Sequence, residues 1–186
     1  GVNMALSTIG TNSIADSAIT SAKASGLGIT MADTWRLTTS FTTSAGTSFR
    51  TIESNLERDD TTGYGVLGSG MSQSSGIFTF PSTGIYSITA NFSLYDNADF
   101  AYFEGFIRTT TDNSSYTTRA QASANVQGLS SGSPETGTHC EILFDVTSTS
   151  THKCSFGFLA STANVNVLGA SGFNATHFAF IRLGDT

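Results

Sequence analysis

Charge is what this 186-residue chain has least of: Lys, Arg, Asp and Glu together make up 12% of it, about half the share usual in soluble domains. The eight Lys and Arg form no cluster, and the formal net charge is −6. A nucleic-acid partner needs a basic face that releases counterions from phosphates, so that class is excluded. Long hydrophobic runs are lacking too. Every apolar stretch is interrupted within a few residues, so no membrane insertion is expected. Two cysteines, Cys140 and Cys154, are too few for a disulfide scaffold. The opening GVNMALSTIG has neither the basic flank nor the apolar run of a secretory signal. The expectation is a chain that is cytosolic, already processed, or released by a route other than ordinary secretion.

What is present is Ser, Thr, Gly and Asn in quantity, with fourteen Phe embedded among them. Thr and Phe favour the pleated surface of a sheet, while Gly, Ser and Asn supply turns. The regular alternation of the Phe residues opposes disorder. Residues 1–28 stand apart: they hold no aromatic, and Ile9, Ile14 and Ile19 recur every five residues, which is neither the helix nor the strand period. Two readings stay open for them, an extended arm or thin stem whose Ile rows meet in an assembly, or a flexible tail.

Beyond Thr30 strand patterns follow one another. They read as Trp35–Phe41, Phe49–Leu56, Tyr64–Leu67, Ile77–Phe80, Ile85–Tyr95, Ala101–Thr109, Tyr116–Gln127, Thr138–Val146, Lys153–Ala160, Asn164–Leu168 and His177–Leu183. In the clearest of them Tyr86, Ile88, Ala90, Phe92 and Leu94 share one face, with Ser87, Thr89, Asn91 and Ser93 on the other. No stretch keeps a helical period for three turns. The fold class predicted is all-β, a two-sheet sandwich of jelly-roll type.

The residues that invite chemistry also have structural readings. His139, Cys140, His152 and Cys154 hold two imidazoles and two thiols, but His139 and Cys140 point to opposite faces of one strand, which argues against a tetrahedral zinc site. Cys140 and Cys154 are placed symmetrically about residue 147, inward across an expected hairpin, as a disulfide or as two buried thiols. Three histidines and no nucleophile set at an expected strand-to-helix turn leave no hydrolase signature, since the one Gly-x-Ser-x-Gly match, Gly128–Gly132, falls in an expected loop; neither enzyme activity nor a cofactor is expected. Asp59, Asp60, Asp96, Asp99 and Asp112 read as turn caps before they read as calcium ligands. The sequons at Asn91, Asn113 and Asn174 are what a Ser/Thr-rich chain yields by chance. Tyr95, Tyr102 and Tyr116 lie near loop ends, where ring and hydroxyl suit contact with a sugar or a protein, or ordinary packing.

Over Gly76–Leu94 the elements Gly76, Phe78, Pro81, Gly84 and Tyr86, as G-x-F-x-x-P-x-x-G-x-Y before an alternating strand, make the chain resemble the C1q/TNF-like jelly roll. The closing THFAFIRLGD resembles that family's last strand, and the resemblance covers about residues 30–186. It implies a homotrimer. The last strand agrees, since both of its alternations are apolar-rich, which makes Phe178, Phe180 and Ile181 candidates for the trimer interface or the core. The segments SIADSAITSAK and ADTWRLTTSF are similar to those of small virion surface proteins of tailed, cyanophage-like bacteriophages. That similarity implies a virion-surface location, residues 1–28 anchoring through Ile9, Ile14 and Ile19 to capsid or tail proteins, and residues 29–186 projecting as a trimeric head. The alternatives are a tail-fibre tip that binds a host surface glycan, with Tyr95, Tyr102 and Tyr116 as receptor contacts, and a secreted ligand of C1q/TNF type.

Overall fold

The computed structural model describes residues 28–44, 46–96, 98–127 and 134–186. The expected anchor residues Ile9, Ile14 and Ile19 lie outside the described residues. Thirteen strands run in order: β1 (Met31–Leu37), β2 (Phe41–Thr42), β3 (Gly46–Thr51), β4 (Leu56–Arg58), β5 (Ser72–Ser74), β6 (Ile77–Thr79), β7 (Gly84–Tyr95), β8 (Phe100–Thr110), β9 (Thr117–Val126), β10 (Glu135–Val146), β11 (Lys153–Ala160), β12 (Asn166–Val167) and β13 (His177–Gly184). The alternation read in β7 holds without a slip, with Tyr86, Ile88, Ala90, Phe92 and Leu94 all buried and the residues between them half-buried.

One sheet has the order β2-β12-β7-β13-β1-β4, with β10 along the other flank of β7. The second has the order β5-β6-β11-β8-β9, with β3 beside β6 on the same flank of β11. All named strand pairs are antiparallel. Between the sheets lies a core built largely of phenylalanine. Phe156 of β11 and Phe178 of β13 stack with ring centroids 3.9 Å apart, and Phe78 meets both edge-on.

Several elements depart from expectation for local reasons. The first strand breaks after Leu37, because Thr38 turns to donate its N–H to Asn55 O at 2.8 Å and Leu37 O accepts from Ala170 N. Tyr64–Leu67 forms only isolated bridges, since Gly63 and Gly68 sit at φ +99° and +71° and no regular strand accommodates that backbone. The expected hairpin carrying Cys140 and Cys154 does not exist. β10 pairs with β7 and β11 with β8, so residues 147–152 cross from one sheet to the other. Both thiols are free and buried.

Gly157 shows how tightly the second sheet closes. A Cβ there would collide with Arg50 O and with the Phe49 ring, which crosses it to reach Phe106 at 5.6 Å. Gly157→Ala is expected to cost about 1–3 kcal/mol, the usual penalty of overpacking. Urea denaturation reads this directly, and an unchanged midpoint would contradict it.

Candidate functional site

The register places three rows of side chains across the outer face of the first sheet. They run Thr34–Ala179–Thr89–Glu141, Ala32–Ile181–Ser87–Leu143 and Arg36–His177–Asn91–His139, from β1 through β13 and β7 to β10. Alternation puts these residues opposite the core set, so one strand pattern builds both the core and this surface. Arg36 is covered: its side chain is 1% exposed beneath Glu57, Asp59 and Asp60. The remaining positions on β1, β13 and β7 carry no formal charge. They are the methyls of Ala32 and Ala179, the butyl side chain of Ile181, three hydroxyls, one amide and one imidazole.

Leu143 is the anomaly of this face. It sits on the edge strand β10 and is 69% exposed, beside half-exposed Ile181 across Ser87. Solvated sheet faces usually carry polar groups at such positions, and an edge strand is ordinarily protected by charge. Nearby, a shallow depression of about 360 Å³ is lined by residues that include Asn91, Ser93, His139 and His177. His177 Nδ1 lies 3.1 Å from Ala175 O and its Nε2 lies 3.1 Å from Asn91 Nδ2. A carbonyl only accepts, so Nδ1 carries a proton toward Ala175 O, and the two contacts together fix the ring's orientation.

The residues singled out from sequence are not gathered in one place. Phe178 and Phe180 are fully buried between the sheets, whereas Ile181 belongs to the outer face. The last strand is therefore core on one side and half-open on the other. Tyr95 and Tyr102 lie toward one end of the sandwich and Tyr116 at the other, where its carbonyl accepts from Arg108 Nη2 at 2.5 Å. The three rings form no common site. His139 faces outward while Cys140 faces inward, and His152 sits at the 147–152 crossing between Thr147 and Thr151. Asp112 caps the β8–β9 turn, accepting from Ser115 N, Thr110 Oγ1 and Ser114 N at 2.7–2.8 Å. These bonds hold its carboxyl well below the usual range. Sequence reading passed over Arg36 and Leu143. The parity of His139, Glu141, Leu143 and Asp145 does single out Leu143 as the one large apolar side chain on the wet alternation of β10.

Burial pushes the Cys140 thiol up to about 11 and raises the Cys154 thiol well above its ordinary value, Cys154 also facing the neighbouring Cys140. The folded values exceed the unfolded ones, so this contribution to stability is fully present below about pH 9. It is lost as pH rises toward 11. Alkaline titration of the unfolding midpoint should show that decline, and Cys140→Ala should shrink it. In the native protein at pH 7 neither thiol is expected to react with a water-soluble disulfide reagent within minutes. Rapid native labelling would contradict the burial.

No protein-family model matches the sequence, and no curated protein matches it. Solved structures do match. Murine APRIL at pH 5.0 superposes with a TM-score of 0.59 at 10% identity, over 82% of this chain and 98% of that one. Eiger TNF from S. frugiperda superposes with a TM-score of 0.57 at 10% identity, over 86% and 95%. The fold is a TNF-like jelly roll.

Proposed function

We propose that this protein is a non-enzymatic structural module that self-associates as a homotrimer through the outer face of its first sheet. In this reading it serves at the surface of a tailed-phage virion, as a capsid decoration or small spike. The observation that carries the self-association is the uncharged outer face of β1, β13 and β7, with Ile181 half-exposed on it and Leu143 standing exposed at its rim. Such a face buries against a different patch of the next copy at little desolvation cost, and a three-fold repetition of that head-to-tail contact closes into a ring. The virion assignment rests on the likeness of SIADSAITSAK and ADTWRLTTSF to phage surface proteins. Residues 1–28 are assigned the attachment to capsid or tail.

Sedimentation equilibrium of the full chain tests the association. A mass near three chains is expected, and a monomer at micromolar concentration would overturn it. Immuno-labelled images of particles test the location, since labelling on capsid or tail supports the virion reading and absence from particles removes it. A secreted ligand of TNF type is the second reading. It is favoured by the overlap with nearly the whole of the APRIL and Eiger chains, and it requires specific binding to a cell-surface receptor ectodomain instead of incorporation into particles.

A further inference from the structure

On the flank opposite β9 and β10, β2 ends the first sheet and β3 ends the second. Between these two edges opens a cleft of about 350 Å³, at the small end of the range for small-molecule sites. Its floor is aromatic, with Phe41 and Phe158 rings 5.4 Å apart and Phe41 half-exposed. Its rim is polar, with Thr42, Arg50, Glu53 and Asn55 all exposed.

The walls are pinned while the rim is free. Thr43 N donates to Val165 O and Asn164 N to Thr43 O, both at 2.8 Å, which fixes one lip to the loop before β12. On the other lip, Ile52 N donates to Phe156 O at 2.9 Å, and Thr38 N holds Asn55 O. Gly76, at φ +76°, lets the backbone pack directly under Ile52 O, where a Cβ would collide. Among the described residues the side chains of Thr42, Arg50, Glu53 and Asn55 have no hydrogen bond or ion pair. Their donors and acceptors stand ready on a rigid frame, which lowers the ordering cost of binding.

We infer that this cleft binds a neutral pyranose. The ring lays its apolar C–H face on Phe41, and its hydroxyls exchange hydrogen bonds with Arg50, Glu53 and Asn55. An aromatic floor with a planar polar rim is the chemistry a sugar ring presents in reverse. Arg50 and Glu53 cancel in charge, and the chain's net charge of −6 opposes an anionic saccharide. The site uses one chain only and lies away from the proposed interface. An assembly of three copies displays three clefts, and their avidity adds to weak single-site binding.

The test is saturation-transfer NMR on the full chain with the methyl glycosides of glucose, galactose, mannose and N-acetylglucosamine. At least one is expected to receive saturation, with an affinity on the order of 1 mM. That affinity should fall about tenfold or more in Glu53→Gln and in Phe41→Ala. Tyr116→Phe should leave it unchanged. Glu53 is exposed, so its variant is expected to keep the fold even where Phe41→Ala does not. No transfer from any of the four glycosides, or transfer undiminished in Glu53→Gln, overturns the site. Leu143→Arg is expected to bind the glycoside as the parent does, so failure here leaves the assembly reading standing.

Discussion

Leu143→Arg is expected to convert the protein from trimer to monomer at micromolar concentration while leaving its fold intact. Leu143 is 69% exposed and belongs neither to the core cluster nor to the residues packed against it, so the folded chain tolerates the larger side chain. The assembled state does not. Burying a leucine side chain contributes about 1.5–3 kcal/mol, and an unpaired guanidinium brought into the same apolar contact adds a further desolvation cost of several kcal/mol. With Glu141 on the same face of β10, the arginine has an acid in reach only at the price of leaving the apolar contact. Because a cyclic trimer repeats each contact three times, the loss compounds to well over a thousandfold in the assembly constant. Sedimentation and thermal unfolding together decide the matter: a trimer retained by Leu143→Arg would remove this face from the interface, and a collapse of the monomer's stability would mean that Leu143 serves the fold.

The second large effect is at Arg36. This guanidinium is 1% exposed and lies 3.0 Å from Glu57, 3.3 Å from Asp59 and 2.8 Å from Asp60, with Thr61 Oγ1 also at 2.8 Å. Asp59 is itself 2% exposed and accepts from Asn174 Nδ2 at 2.7 Å. Burial works against the charge on Arg36, but the bond to Glu57 and the charges of Glu57, Asp59 and Asp60 outweigh it, so the group stays protonated throughout the working range. Arg36→Met leaves the acids facing one another without a cation, and a loss of about 3–5 kcal/mol in urea unfolding is expected. Arg36→Lys recovers only part, since one ammonium cannot reach three carboxylates and a hydroxyl as the planar guanidinium fork does. A loss under about 1 kcal/mol at neutral pH would show that the cluster contributes little.

The sequence by itself determined the all-β class and the core, for a reason that lies in the period of two. Where every second residue is apolar, as in Tyr86, Ile88, Ala90, Phe92 and Leu94, only one face of a strand can be dry, and β7, β8, β11 and β13 appeared close to their expected bounds. It put Phe178 and Phe180 on one alternation and Ile181 on the other, but left all three open between core and interface, and the pairing of β13 with β1 and β7 shows which side is core. What it could not hold was which sheet each strand joins. The spacing of Cys140 and Cys154 is compatible with a hairpin or with a crossing between sheets, because a short turn serves either. Only the long-range pairing of β10 with β7 and of β11 with β8 decides between them. The same holds for the candidate sites. Tyr95, Tyr102 and Tyr116 looked alike as loop-edge aromatics and were separated by the length of β8. Phe41 and Phe158 lie more than a hundred residues apart and meet because two sheet edges diverge at that flank. Arg36 reads as one scattered charge in a chain poor in them, and it becomes a buried hub only when β4 and the Asp59–Thr61 turn fold over it. The scarcity of charge that marks the sequence acquires its meaning there: the fold concentrates part of it under one strand edge and leaves the outer sheet face nearly bare.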